Sequence, residues 1–282
     1  MTSLAIAQMI EDAEAAAYAD QLAAAPPEWK CAAEQTSAGW FLIAPRLDML
    51  LFNRLVGWGL NRPARRNDVE AALERFGSAG LAHYGVQLSP LAKPGNFAEW
   101  LGAAGLVRDD CWSKVYRKAG DVPAVATALR VEETGARDAG SAASIACTAF
   151  GMPSHLAPWI ASIVGRPGWH HYLAFDEAEP VATAALFVRG DIGWLGIAGT
   201  LPTARRRGAQ GALMARRLSD GRALGCRWFV TETGEDRPDR PNPSFHNMMR
   251  LGFELAYQRP NYLLKSLRPE SGSGEAPRID RR

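Results

Sequence analysis

The sequence predicts an α/β protein, a mixed sheet with helices packed on its faces, and three observations carry that expectation. Apolar, strand-like runs alternate with helical stretches through the second half, in the order β-α-α-β-β-β-α-β-α-β. A strand ending at Thr200 passes through Leu201-Pro202, three arginines and Gly208 directly into a helix. A later helix stops at Gly252, a C-cap glycine, and a last strand follows it.

Taken in order, Ser3 to Ala25 is rich in alanine and predicts an amphipathic helix ended by Pro26-Pro27. Asp48 to Leu60 is apolar and mostly strand-like. Asn67 is the expected N-cap of a helix running to about Phe76, with Asp68 and Glu70 in the first turn, where the helix dipole favours acids. A strand near His83 to Leu88, a helix over Phe97 to Gly102 and a strand near Trp112 to Tyr116 complete the first half. Gly120-Asp121-Val122-Pro123 reads as a linker, which divides the chain into residues 1–122 and 123–267; residues 268–282, polar and rich in Ser and Gly, are expected to be disordered.

The second half opens with a strand over Thr127 to Glu132. Helices follow near Ala139 to Ala149 and His155 to Ile163, divided by Gly151-Met152-Pro153. His171 to Phe175 and Pro180 to Val188 form a hairpin, Ile192 to Thr200 a further strand, and Gly208 to Leu224 a helix. A strand over Trp228 to Thr233, a helix over Ser244 to Leu251 and a strand over Phe253 to Leu264 close the series.

Composition narrows the class. With 282 residues, 47% hydrophobic and 22% charged, the chain can bury a substantial core without disulfides or metals. A formal net charge of +2 gives no field that would favour nucleic acid or an anionic membrane, and neither is an expected partner. Cys31, Cys111, Cys147 and Cys226 are scattered, so no zinc site or disulfide framework is expected, and reduced thiols in the cytoplasm fit the pattern. The N-terminus reaches Glu11, Asp12 and Glu14 without a basic segment and apolar core, so no secretory signal is expected. The apolar run Val181 to Val188 is too short to span a bilayer. A monomer or homodimer is expected.

The loop from Arg205 to Gln210 carries the chemistry. Pro202 cannot extend the strand ladder. Backbone N–H groups at a helix start lack intrahelical partners and sit at the positive end of the dipole, and a glycine there lets an anion approach the backbone. A pyrophosphate suits such a site. The same residues also suit a solvated basic face with Gly208 as an ordinary turn.

Leu201-Pro202-Thr203-Ala204-Arg205-Arg206-Arg207-Gly208-Ala209-Gln210 resembles the pyrophosphate loop of the GNAT superfamily of acyl-CoA-dependent N-acyltransferases, Gln/Arg-x-x-Gly-x-Gly/Ala. Arg205 and Gly208 match, whereas Gln210 stands where glycine or alanine is usual. Asn242 to Phe253 resembles the later helix of the superfamily, which ends in Gly-Phe before the last strand. The resemblance implies a GNAT fold, complete in the C-terminal unit, and acetyl-CoA as co-substrate. It implies a cofactor site of Gly199, Thr200, Leu201, Arg205, Arg206, Arg207, Gly208, Ala209, Gln210, Gly211 and Ala212, with Ser244 and Asn247 lining the CoA arm. It further implies direct attack of a primary amine, on a small molecule or a peptide, upon the thioester in a ternary complex, with no metal.

An amine must be neutral to attack, so a base or a water chain has to take its proton. A backbone N–H of Gly199, Thr200 or Leu201 is the expected donor to the oxyanion. The tyrosine that meets the leaving thiolate in the superfamily is replaced by Met248, which has no proton to give. Tyr257 and Tyr262 are candidates in its place, or simply pack with their phenol tips in water. Glu232 is a candidate base, or an exposed strand glutamate; His170-His171 is another possible acceptor. Phe150, Met152, Trp159 and Trp169 form an acceptor pocket or the core beneath the hairpin.

The first half carries a partial echo. Leu60 to Leu73 lies between a strand and a helix, and Trp100 to Leu106 parallels Met248 to Phe253. It resembles a degenerate GNAT unit in a tandem chain, with Asn67 and Asp68 where glycine is needed and acids that would repel pyrophosphate. Two rival readings are a non-catalytic acyl-CoA sensor and a nucleic-acid binder using Arg205, Arg206, Arg207, Arg216 and Arg217.

Overall fold

Ser3 begins the first helix by accepting a hydrogen bond from the Ile6 N–H (3.2 Å), as an N-cap serine does. In the computed structural model, which describes residues 3–264, this helix α1 spans Leu4–Ala23. The tail read as disordered, residues 268–282, lies outside the described residues. Among these residues no helix is long and apolar enough to cross a membrane.

The remaining elements are β1 (Ala32–Gln35), β2 (Trp40–Ile43), β3 (Arg54–Val56), α2 (Arg66–Ser78), β4 (Gly85–Gln87), α3 (Phe97–Ala103), β5 (Leu106–Lys118), β6 (Arg130–Thr134), α4 (Ala139–Phe150), α5 (Ala157–Ala161), β7 (Trp169–Asp176), β8 (Glu179–Arg189), β9 (Ile192–Thr200), α6 (Ala209–Ala223), β10 (Trp228–Gly234), α7 (Pro243–Arg250) and β11 (Glu254–Leu264). The order of elements expected for the second half is the order observed. Three expectations for the first half are corrected. Only Arg54–Val56 of the strand-like segment Asp48 to Leu60 is a strand. The cap of α2 is Arg65 in extended backbone, and Asn67 lies inside the helix. Helix α1 is not amphipathic, because Ala13 to Tyr18 are buried without interruption, Glu14 among them.

The chain packs as two units. The described residues 3–115, 232–240 and 255–264 form the first, and 116–231 with 241–254 the second. The sequence suggests consecutive segments meeting at residue 122; by packing, residues 232–240 and 255–264 group with the first unit.

In the first unit the strands lie in the order β1-β2-β3-β4-β11-β5, with β3 and β4 parallel and β4 and β11 antiparallel. Alternation along β2 assigns its faces. Phe41 stacks on Phe76 of α2 (4.7 Å between centroids), whereas the Trp40 indole N–H donates to Asp12 of α1 (3.2 Å). Helix α1 therefore covers one face and α2 the other.

The face under α1 is ionic. Glu14 accepts from Lys114 (2.7 Å) and Arg259 (2.6 and 3.0 Å) and pairs with Arg54 (3.0 Å), all with fully buried side chains. Glu11 accepts from Arg259 and from the Tyr257 hydroxyl (2.6 Å), and the Gln87 side-chain oxygen accepts from Arg54 (2.5 Å) and Arg259 (2.7 Å). Two carboxylates on one helix thus tie together residues from β3, β5 and β11, and Gln87 of β4 joins them through the two arginines.

In the second unit the order is β10-β9-β8-β7-β6, antiparallel except for the parallel pair β10/β9. Leu173 packs with Ala142 and Ile145 of α4, and its neighbour Tyr172 meets Arg216 of α6 (5.9 Å to the ring), so α4 and α6 lie on opposite faces.

Candidate active site

Strands β9 and β10 part early. Their parallel pairing covers Trp228↔Ile192, Phe229↔Gly193 and Val230↔Trp194, yet β9 continues to Thr200. Beyond the pairing, β9 carries a bulge. Thr183 faces Gly199 and Ala185 faces Gly196, so two steps along β8 match three along β9, and Ile197 takes φ 49°. Where the ladder stops, the Thr231 hydroxyl donates to the Leu195 carbonyl (2.6 Å). Buried Arg217 of α6 donates to the Ala185 and Gly196 carbonyls (2.9 and 3.4 Å) and so supports the bulge from below. Burial lowers the Arg217 pKa to about 9, with Tyr172 opposing, and the group stays charged at neutral pH.

The end of β9 distinguishes the three backbone donors expected there. Leu201 N–H donates to the Val181 carbonyl (2.9 Å), so it is already engaged. Thr200 pairs with Ala182 in the same register, and hydrogen-bonded and non-bonded pairs alternate along an antiparallel ladder. Gly199 is therefore directed at β8, and the Thr200 N–H at the edge that β10 leaves.

The loop then forms as its residues require. Pro202–Ala204 makes a single 3-10 turn, Arg206 takes φ 63°, and Gly208 takes φ 84°, the left-handed region that glycine enters without a side-chain clash. Helix α6 starts at Ala209 with no side chain capping it, and its first internal bond runs from Ala212 N–H to the Gly208 carbonyl (3.0 Å). The N–H groups of Ala209, Gln210 and Gly211 lie in the turn that has no intrahelical acceptors. The residues just after the linker pass beside them: a Cβ on Gly208 would lie 3.1 Å from the Ala126 carbonyl, and one on Gly211 would lie 3.1 Å from Val125. The Thr127 hydroxyl ties this segment to the loop by donating to the Arg207 carbonyl (2.8 Å).

The three arginines divide. Arg207 is held by Asp176 at the hairpin through two bonds (2.5 and 2.6 Å), which lowers the Asp176 pKa and raises that of Arg207. Among the described residues Arg205 and Arg206 have no carboxylate partner. The expectation that all three face one anion is thus narrowed to two.

Gln210, the departure from the loop pattern, is engaged with α7. Its amide donates to the Ser244 hydroxyl (2.5 Å) and its oxygen accepts from the Asn247 amide (2.6 Å). Asn242 caps α7 by accepting from Ser244 and Phe245 N–H (3.0 and 3.3 Å), which fixes the first turn that presents Ser244. Met248 is buried on this helix.

The candidate acid and base residues, Glu232, Tyr257 and Tyr262, all have partners within the first unit. Tyr257 is buried, donates a hydrogen bond to Glu11 and has its pKa raised, first by burial and then by the Glu11 charge, so it keeps its proton. Glu232 accepts from buried Lys114 (2.9 Å). Tyr262 pairs with Val86 and packs against the core of the first unit. These contacts give each residue a packing or ion-pairing partner: the phenol tip of Tyr257 is buried rather than in water, and Glu232 is not an exposed strand glutamate.

His170 meets Glu133 (2.7 Å), while His171 is buried against Trp169 (5.6 Å between centroids) with neither ring nitrogen bonded. Burial, helped by His170, lowers the His171 pKa to about 4, so it is neutral at physiological pH. Trp159 and Trp169 are core residues; Phe150 and Met152 are half-buried, next to Ala149, whose Cβ would lie 2.4 Å from a Cβ on Gly199. The echo of the loop in the first unit is closed by ion pairs, Asp68 with Arg62 (3.8 Å) and Glu70 with Arg66 (2.8 Å).

No protein-family model and no curated protein matches the chain. Solved structures do. A GCN5-related N-acetyltransferase from Kribbella flavida superposes with a TM-score of 0.62 at 21% identity, covering 89% of this chain and 94% of that one. One from Sphaerobacter thermophilus gives a TM-score of 0.55 at 14% identity, covering 92% of both chains. A tandem GNAT protein from the clavulanic acid biosynthesis pathway gives 0.52 at 18% identity, covering 74% of this chain and 73% of that one. At these identities the likeness is one of fold.

Proposed function

Starting from a chain that has the GNAT fold in its tandem form, we propose that the second unit binds acetyl-CoA and transfers the acetyl group to a primary amine. One observation carries the reading: α6 begins at a left-handed glycine and, among the described residues, is capped by no side chain and lies beside two arginines with no acidic partner. The backbone N–H groups of Ala209, Gln210 and Gly211 would hold the pyrophosphate, with Arg205 and Arg206 adding charge. The arm of the cofactor would follow the edge of β9 that β10 leaves free, past Ser244 and Asn247. There the Thr200 N–H is the donor for the thioester oxygen as it gains negative charge.

In the transfer, the neutral amine forms a bond to the carbonyl carbon, the carbon–sulfur bond breaks, and the thiolate departs. Met248 offers no proton, so the thiolate is protonated from water, and water also removes the proton of the amine. Half-buried Phe150 and Met152, which follow Ala149, the residue packed against Gly199, favour an acceptor with an apolar body. The same Met248 supports a second reading, an acyl-CoA sensor that binds without transfer.

A thermal-shift titration tests the proposal. Ligand that binds only the native state at a hundred times its Kd adds about 2.7 kcal/mol of stability, so acetyl-CoA is expected to raise Tm by several degrees. No shift at millimolar acetyl-CoA would sink the reading. Turnover with an amine panel separates the enzyme from the sensor, since a sensor releases no free CoA.

The arginines make a second expectation. Arg205→Ala is expected to weaken acetyl-CoA binding by about tenfold or more, the scale of one charge-assisted hydrogen bond. Arg207→Ala should change Kd by less than about threefold, because its partner is Asp176 in an exposed pair. Calorimetric titration of both variants measures this, and equal losses would contradict the division of the loop.

A further inference from the structure

The side chain of Gln210 lies where the superfamily pattern has none beyond a methyl group, and both ends of its amide are hydrogen-bonded to α7. Its amide nitrogen donates to Ser244 (2.5 Å) and its oxygen accepts from Asn247 (2.6 Å). Asn247 in turn accepts from Arg250 on the same helix. A relay therefore runs Arg250, Asn247, Gln210, Ser244, joining the first turn of α6 to α7. Ser244 and Asn247 are also the two α7 side chains that the acyl-CoA reading puts along the cofactor arm. Both of those side chains are hydrogen-bonded to Gln210.

We propose that Gln210 is a latch across the acyl-CoA entrance, a statement that rests on the acyl-CoA reading above. Cofactor must break the Gln210–Ser244 and Gln210–Asn247 bonds before those side chains can turn to it. The latch thus lowers affinity and slows entry, and Gln210 sets how much cofactor the unit needs before it fills. The backbone N–H of Gln210 is untouched by this role and remains available to the pyrophosphate. A direct role, with the side-chain amide of Gln210 itself holding phosphate, predicts the opposite sign.

The test is the affinity and association rate of acetyl-CoA for the full chain and for Gln210→Ala, by calorimetric titration and stopped flow. Alanine suits a helix start, keeps the backbone N–H and is a residue the superfamily pattern accepts. Gln210→Ala is expected to bind about tenfold more tightly, the equivalent of one or two net neutral hydrogen bonds no longer broken, and with a faster association rate. A second variant, Gln210→Leu, keeps bulk but cannot bond. Tighter binding by Ala and Leu alike supports the hydrogen-bonded latch, whereas equal or weaker binding by Gln210→Ala, with the wild type binding normally, overturns it. If wild type and both variants all fail to bind acetyl-CoA, the acyl-CoA reading itself falls and takes the latch with it.

Discussion

Glu14→Gln is expected to cost about 3–5 kcal/mol of folding stability, the scale for removing one partner from a buried ion cluster. The wild-type cluster balances Glu11, Glu14 and Glu232 against Arg54, Lys114 and Arg259. Glutamine keeps the shape but leaves the three cations with one charge too few, in a site closed to water. Burial alone would raise the Glu14 pKa, but Arg259, Lys114 and Arg54 outweigh it and hold the carboxyl well below its usual value. The ionised form is thus favoured in the folded state. The advantage of the wild type is complete above the unfolded-state carboxyl value, about 4.3, and is lost as pH falls through the lower folded value. Urea unfolding followed by circular dichroism at several pH values measures both effects. A loss below about 1 kcal/mol at neutral pH would show that the cluster is not a clamp. Adding Lys114→Met to Glu14→Gln restores the charge balance and should recover part of the loss.

Gly208→Glu is expected to abolish acetyl-CoA binding, by at least about a hundredfold. Left-handed backbone costs a non-glycine residue roughly 1–2 kcal/mol, and a carboxylate placed at an anion site adds repulsion of about the same size. The Ala126 carbonyl, 3.1 Å from the new Cβ, presses on the same turn. Gly208→Ala carries the strain without the charge and should fall between the two. Binding by Gly208→Glu at wild-type strength, with Tm in the absence of ligand showing an intact fold, would remove the loop from the cofactor site.

The second half was legible because its signals are local. The hairpin residues, the proline that stops β9, Gly208 at the start of α6 and Gly252 after α7 each fix backbone within a few positions. The first half was less so. Strands β1 and β2 are four residues each, too short for alternation to register, and β3 is three. Asn67 has the better capping chemistry, yet the chain leaves extended backbone at Arg65, so the helix starts before Asn67 can cap it.

The site shows the same boundary between near and far. The sequence by itself determined the series of elements in the second half and the anion-ready start of α6, since both follow from neighbouring residues. Tertiary structure alone decided the partners. Glu232 lies 118 positions from Lys114, and Tyr257 lies 246 from Glu11, so no local pattern marks them as members of a buried cluster. Gln210 reaches Asn247 across 37 positions, and Arg207 reaches Asp176 across 31. A side chain's backbone conformation is set by the residues beside it, but its charge and its protons are set by whatever the fold brings within 3 Å, and that depends on the whole chain.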